Sequence, residues 1–375
     1  MPDRKPATVA LSLAGCDLGT SGVSVFAEAV LPRLRAHLAA RGVQSFVLGT
    51  AQEREAAKMQ DAPGPVLPAI LDAPAASAGF TLAGAPVVAR MLGARLLYLP
   101  CANRRIVGLP AVPVVGTVHD LAQFHVEAKY GRLRQVYVQR VLTPLLSRLR
   151  VLTAVSQTTA TEVERFAHVP QARIRVVPNG VTLGKRPGNA ARADSKYLLY
   201  PARLEHPGKN HLRVLDGFAR ARLRATHRLV FTGADWGAEG LIRERIAALG
   251  LEGRVELAGF LSRDELTARM ACADAVLAAG LFEGFGLPAA EALALGRPIA
   301  GSSTGSLPEV MGGLGALFDP LDVDSIAAAL DRVAEDQALR ARCRDEGPAH
   351  AAKFSWDKTA AGIGDALCEV LDAAA

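Results

Sequence analysis

The sequence predicts an α/β protein built twice over, and three observations carry that prediction. Apolar strand-like runs alternate with helix-like segments, the rhythm of a parallel sheet with crossover helices. The rhythm breaks between Thr182 and Lys196, where Gly, Pro, Arg, Lys and Ala dominate, and then restarts. A length of 375 residues exceeds what one core comfortably organises and suits two domains.

The first round comprises Thr8–Leu13, a helix over Val23–Arg41, then Gln44–Leu48, Arg95–Leu99, Val112–Val118, Leu149–Val155 and Arg173–Val176. The second comprises Tyr197–Pro201, Arg228–Thr232, Val255–Leu257, Asp274–Ala279 and Pro298–Ala300, and a closing helix covers Trp356 to Ala373. Domains are expected at 1–185 and 186–355, with 356–375 as that last helix. Residues 156 and 179–180 read as structural: Ser156 as a helix N-cap and Asn179-Gly180 as a turn.

Bulk properties exclude several classes. Half of the residues are hydrophobic, yet no apolar run reaches membrane-spanning length, so a soluble cytoplasmic chain is expected. A net charge of +6 does not by itself indicate nucleic acid. The five cysteines (Cys16, Cys101, Cys272, Cys343, Cys368) are odd in number and scattered, which fits neither a disulfide framework nor a zinc site. Arg4, Lys5 and the run into Leu13-Ala14-Gly15-Cys16 imitate a lipoprotein signal, but cleavage there would delete the first strand. Lys129, Arg132, Arg134, Arg140, Arg148 and Arg150 occur without an acid among them, interleaved with apolar residues. That segment reads either as a basic amphipathic helix for an anionic membrane surface or as a solvated face.

The segment Leu281 to Glu291, LFEGFGLPAAE, is the most informative. The buried-strand run Asp274–Ala279 precedes a glycine-interrupted loop, Glu283-Gly284-Phe285-Gly286-Leu287; Pro288 then opens a helix over Ala289–Leu295, closed by Gly296. A strand, a glycine loop and a helix N-terminus make an anion site. Glu283 and Glu291, placed before the loop and in the first helical turn, would repel a bare phosphate but accept hydrogen bonds from sugar hydroxyls. The combination points to a nucleotide-sugar.

These paired glutamates, with the following RPIAGSSTGSLPEV and GALFDP, resemble the retaining glycosyltransferases of family 4. The resemblance implies the GT-B fold, two facing Rossmann-like domains with a cleft between them and a C-terminal helix crossing back. It implies transfer of a hexose from a nucleotide-sugar to an acceptor hydroxyl with retained configuration. Arg203 and Lys209 in PARLEHPGKN follow the strand Tyr197–Pro201 and would neutralise the departing diphosphate, with Asn210 beside them. No clustered histidines and aspartates mark a divalent-metal site, so no metal cofactor is expected. The resemblance makes Glu291 the ribose ligand, puts Glu283 near the donor sugar as nucleophile or charge stabiliser, and lays Gly284, Phe285, Gly286 and Leu287 along the donor. Because the leaving group is already a good one and needs no acid, the electrostatic role is favoured for Glu283 and the covalent one stays open.

In the first domain, Gly19, Thr20, Ser21 and Gly22 resemble the family loop that closes on the donor, although many members carry adjacent glycines where Thr20-Ser21 stand. His119, ending the strand Val112–Val118, matches a family histidine that contacts the donor sugar, with Asp120 orienting a neighbour or capping a helix. TGSLPEV and RLEHPGKN are most similar to mannosyltransferases of bacterial surface-polysaccharide assembly. That favours GDP-mannose as donor and a lipid-linked or other oligosaccharide as acceptor, at the inner face of the membrane. Two alternatives stay open: a GT-B epimerase or hydrolase acting on the donor alone, and a non-catalytic nucleotide-sugar-binding protein. The glycine spacing after the first strand is wrong for a NAD-dependent dehydrogenase.

Overall fold

The computed structural model describes residues 7–16, 21–108, 110–126, 131–185 and 196–373, without the side chains of 132–134. Gly19, Thr20, Lys129 and most of the 182–196 segment lie outside the described residues.

The chain folds into two compact units. The first holds a seven-stranded sheet: β1 (Thr8–Ser12), β2 (Gln44–Thr50), β3 (Val66–Leu67), β4 (Leu96–Leu99), β5 (Val114–Val118), β6 (Val151–Ala154) and β7 (Ile174–Val176). Their order is β3-β2-β1-β4-β5-β6-β7, and every pairing is parallel. The second holds six parallel strands: β8 (Tyr197–Pro201), β9 (Arg228–Thr232), β10 (Val255–Leu257), β11 (Ala275–Ala278), β12 (Ile299–Ser302) and β13 (Ala316–Phe318), ordered β10-β9-β8-β11-β12-β13. Both are Rossmann-like. Strands buried on both faces need apolar side chains at every position, and β1, β4, β5, β6, β8, β11 and β12 show that near-continuous burial.

Among the described residues, the first unit comprises those up to 121, 132–180 and those from 355 onward; residues 122–126 and 131 group with the second unit, although the sequence placed them in the first. His125 there stacks flat on Phe282, with centroids 4.2 Å apart. The closing helix Trp356–Ala373 belongs to the first unit and packs along the helix Gly22–Ala40. Gly364 makes the approach close, since a Cβ there would sit 2.3 Å from the His37 ring. Trp356 meets Phe26 edge-on, and Arg41 pairs with Asp365 at 2.6 Å.

The basic segment is less regular than one amphipathic helix. Arg132–Tyr137 is α-helical, Val138–Leu142 widens to a π-turn, and Leu146–Arg148 tightens to a 3-10 turn. Arg150 lies beyond the helical run, just ahead of β6. Val138, Leu142 and Leu146 point inward, whereas Val136, Tyr137, Val141 and Arg140 are exposed. Among the described residues no helix is long and apolar enough to cross a membrane. None of the five cysteines forms a disulfide among the described residues.

Candidate donor site

In the second unit the strand order reverses between β8 and β11, so the loops leaving their carboxyl ends part and leave a crevice, the usual ligand position in open α/β sheets. The predicted motifs occupy those two loops. After β8 the chain stays tied to its neighbour: Ala202 N–H donates to the Thr232 carbonyl, Leu204 to Ala234 and Trp236 back to Leu204, each at 2.9 Å. Gly233 permits this, because its φ is +146° and a Cβ would lie 2.5 Å from the Ala202 carbonyl oxygen.

The ladder fixes Arg203. Its guanidinium carbon lies 4.3 Å from the centroid of the Trp236 ring, and its Nε donates to the Glu205 carboxylate. The loop then returns to the second motif. Tyr200 hydroxyl donates to the Lys209 carbonyl at 2.6 Å, and Leu281 N–H donates to the Gly208 carbonyl at 2.9 Å. Lys209 Nζ thereby reaches Glu283 Oε1 at 2.6 Å. Both side chains keep about a fifth of their surface exposed, 21% and 23%. Asn210 caps the next helix in a left-handed conformation, its amide committed to the Pro320 carbonyl (2.8 Å) and to Arg213 (3.1 Å). Its side chain is thereby tied into the loop, at the position expected to contact the donor.

The glycine loop is anchored at its aromatic ring and at Glu283. Phe285 is buried edge-on against Phe354, so its ring is structural and only its backbone faces the loop's concavity. The Glu283 carbonyl accepts from both Ser306 N–H and Oγ at 3.0 Å, and Thr304 Oγ1 donates to the Leu281 carbonyl at 2.7 Å. Gly305, at φ +62°, makes room for this: a Cβ there would stand 2.5 Å from the Glu283 oxygen. Gly286 has φ +85° and starts the helix Leu287–Ala294 without a side-chain cap. The N–H groups of Phe285, Gly286 and Leu287 donate to no acceptor among the described residues, leaving an electropositive helix end.

That helix begins two residues earlier than expected, which puts Glu291 in its second turn, buried, and not in the first as a dipole partner. Burial pushes its carboxyl up from an ordinary 4.5 to about 7, with Arg263, 4.0 Å away, pulling the other way. Arg263 opens the helix Arg263–Cys272. His211, directly after Asn210, is buried against Tyr200 and Phe231; burial lowers its pKa to about 4, helped by the charge of Lys209.

Among the described residues no group of three or more His, Cys, Asp or Glu is arranged to hold a metal. The Asp-x-Asp pair Asp322 and Asp324, in the run into the helix Val323–Glu335, is otherwise engaged: Asp322 caps that helix and Asp324 pairs with Arg220 at 2.7 Å.

The first-unit candidates are of a different kind. His119 follows β5 and is buried; its Nε2 is 2.8 Å from the Pro100 carbonyl and its ring meets Phe26 edge-on. Ser21 caps the helix Gly22–Ala40, accepting from Val23 N–H, with Ser24 closing a capping box. Asp120 offers its carbonyl to Asn103 at 3.0 Å. Sequence reasoning missed Glu205, Trp236, Arg263, Thr304 and Ser306, although Glu205 lies inside the quoted PARLEHPGKN and Thr304 and Ser306 inside the quoted RPIAGSSTGSLPEV.

Comparison with known proteins bears on this arrangement. Residues 184–350 match the domain model for glycosyl transferases group 1, and residues 27–185 the model for glycosyltransferase family 4. O-antigen chain mannosyltransferase B of Escherichia coli is 27% identical over 65% of this chain and 67% of its own length. MMP alpha-(1->4)-mannosyltransferase of Mycolicibacterium hassiacum is 33% identical over 56% of this chain, and the match spans about half, 52%, of that relative. The structure of Anabaena HepE with UDP-glucose superposes with a TM-score of 0.73 at 18% identity, covering 98% of this chain and 99% of that one. Two Rossmann-like units with these loops define a glycosyltransferase of the GT-B fold. The chain belongs to glycosyltransferase family 4.

Proposed function

We infer that the protein transfers a hexose, with mannose favoured, from a nucleotide-sugar to an acceptor hydroxyl with retained anomeric configuration and without a metal cofactor. The observation that carries this reading is the Lys209–Glu283 pair joining the loops after β8 and β11 beside the unpaired amides of Phe285 to Leu287. When the bond between the anomeric carbon and phosphate oxygen breaks, negative charge grows on the diphosphate. Arg203 and Lys209 meet that charge, and the helix end adds its dipole. The two cations are held by Glu205 and Glu283, so diphosphate exchanges with carboxylate partners instead of ordering floppy side chains. Glu283 then stabilises positive charge at the sugar, and Glu291 holds the ribose. In a front-face reaction the departing phosphate oxygen takes the acceptor proton. His119 of the first unit is assigned to the donor sugar.

GDP-mannose is favoured as donor because the relatives include an O-antigen chain mannosyltransferase and an MMP alpha-(1->4)-mannosyltransferase. A lipid-linked or other oligosaccharide acceptor, met at the inner face of the membrane with help from the basic segment, completes the proposal.

Calorimetry with GDP, UDP, dTDP, ADP and their common sugars, in the presence of a chelator, tests the donor assignment. GDP and GDP-mannose are expected to bind selectively; binding by none of them removes the transferase reading. Lys209→Ala should lower turnover by about a hundredfold or more while weakening nucleoside binding far less, the pattern for charge stabilisation in the transition state. Unimpaired turnover in that variant eliminates the cationic clamp.

A further inference from the structure

The amino-terminal edge of the first unit's sheet, where β5, β6 and β7 begin, is opposite the carboxyl edge followed by His119 and by the loop after β1. Two cavities of about 290 and 300 Å3 adjoin there, sharing Arg150, Arg173, Val370 and Ala373, and so form one groove. Arg148 lines one end and Arg175 the other. We propose that this groove binds a phosphate group carried on a small apolar body, at a site separate from the donor site.

The register explains the gathering of charge. Leu152 of β6 lies opposite Ile174 of β7, and Thr153 opposite Arg175, which sets the arginines flanking the two strand starts side by side. Among the described lining residues four arginines stand with one carboxylate, Glu369, which pairs with Arg175 at 2.7 Å. Arg173 donates to the carbonyls of Ser147 and Leu149 at 3.1 and 3.3 Å, and Arg148 to that of Gly108. Carbonyls orient a guanidinium without cancelling its charge. The Arg150 backbone N–H donates to the Val114 carbonyl at 2.7 Å, and its guanidinium has no hydrogen-bond or ion-pair partner among the described residues.

Like charges held together repel, and a bound anion relieves that repulsion. Guanidiniums fixed in direction match phosphate oxygens two at a time, which favours phosphate over a point anion such as chloride. Val114 and Val370 supply apolar wall for the carbon part of a phosphate ester. A free phosphorylated compound and a phospholipid headgroup share this chemistry.

The test is calorimetric titration of the whole protein with inorganic phosphate at fixed ionic strength, alongside Arg150→Gln, Arg150→Glu and Lys209→Ala. The Arg150 side chain is exposed and makes no pairing among the described residues, so its variants should keep the wild-type thermal midpoint in chloride and normal nucleoside diphosphate binding. Phosphate should bind wild type and Lys209→Ala equally, about tenfold more weakly to Arg150→Glu, and to an intermediate degree to Arg150→Gln. Unaltered phosphate binding in Arg150→Glu, loss only in Lys209→Ala, or no binding above a chloride control each overturns the proposal. Flotation with phosphatidylglycerol vesicles against phosphatidylcholine vesicles distinguishes the source. Binding to the anionic vesicles that Arg150→Glu abolishes assigns a lipid headgroup; phosphate binding without vesicle binding assigns a free phosphate compound.

Discussion

Trp236 shows how a residue invisible to motif reading can govern one that is plain. Arg203 is conspicuous in its motif, but the ring beneath its guanidinium lies 33 positions later and arrives only through the β8–β9 register, in which Pro201 faces Thr232. A ring held at this distance from a partly desolvated cation contributes about 1 kcal/mol, enough to change turnover roughly fivefold if Arg203 acts in the transition state. Trp236→Ala should lower kcat by that order with little change in donor KM, and Trp236→Phe should restore most of it. An equal loss in both variants would show that the ring does not position Arg203. Glu291 carries a second prediction at the same scale. Ribose hydroxyls donate to a carboxylate, so donor binding draws the carboxyl below its raised value near 7 and releases a proton. Nucleoside affinity should rise from pH 5.5 to 8, and Glu291→Gln should flatten that dependence. A wild-type profile without slope would end the ribose assignment.

Among elements, long apolar runs were legible and short ones were not. The five-residue strand runs at Tyr197–Pro201 and Arg228–Thr232 match the observed bounds, because an apolar run in an α/β rhythm has few other solutions; the three-residue Val255–Leu257 was placed only by that rhythm. β3 is two residues set among Pro63, Pro65 and Pro68, and β13 is three residues, too short for periodicity to register. The donor loop was legible in its glycines, but what they accommodate was not. Gly305 sits outside the paired-glutamate motif, and its task is to let the 302–306 turn lie against the Glu283 backbone. Gly305→Ala therefore faces both a left-handed backbone and a collision with a backbone atom, and should cost about 1–3 kcal/mol of stability with at least a tenfold loss of turnover. Gly313→Ala, also left-handed at φ +79° but with nothing within 4 Å of its Cβ, should lose only about 1 kcal/mol and keep its activity. Thermal midpoints and turnover of the pair separate dihedral strain from displacement of Glu283; equal activities would refute the displacement.

At the scale of the whole molecule, two buried groups of the second unit set opposing pH dependences. Glu291 has a folded pKa raised to about 7, so the folded state binds its proton more tightly than the unfolded chain does. The stability from this group is fullest below about 4.5 and is lost as pH rises toward 7. His211 has a folded pKa lowered to about 4, so its stability is fullest above 6.5 and is lost as pH falls toward 4. Each shift amounts to about 3 kcal/mol, and over pH 4.5–6.5 the slopes oppose one another. Their sum is nearly level in wild type, although neither group is indifferent to pH. Glu291→Gln should expose the histidine term, with stability rising by up to about 1.4 kcal/mol per pH unit between pH 4.5 and 6.5. His211→Leu should expose the glutamate term, with stability falling over the same interval. Urea unfolding at several pH values, followed by the emission of Trp236 in a Trp356→Phe background, reads the slopes, which are insensitive to any constant packing loss in either variant. Parallel slopes in the two variants would contradict the opposition. The cost of keeping Glu291 buried and ionised at neutral pH is then a measurable property of the fold, one that the proposed ribose contact would offset.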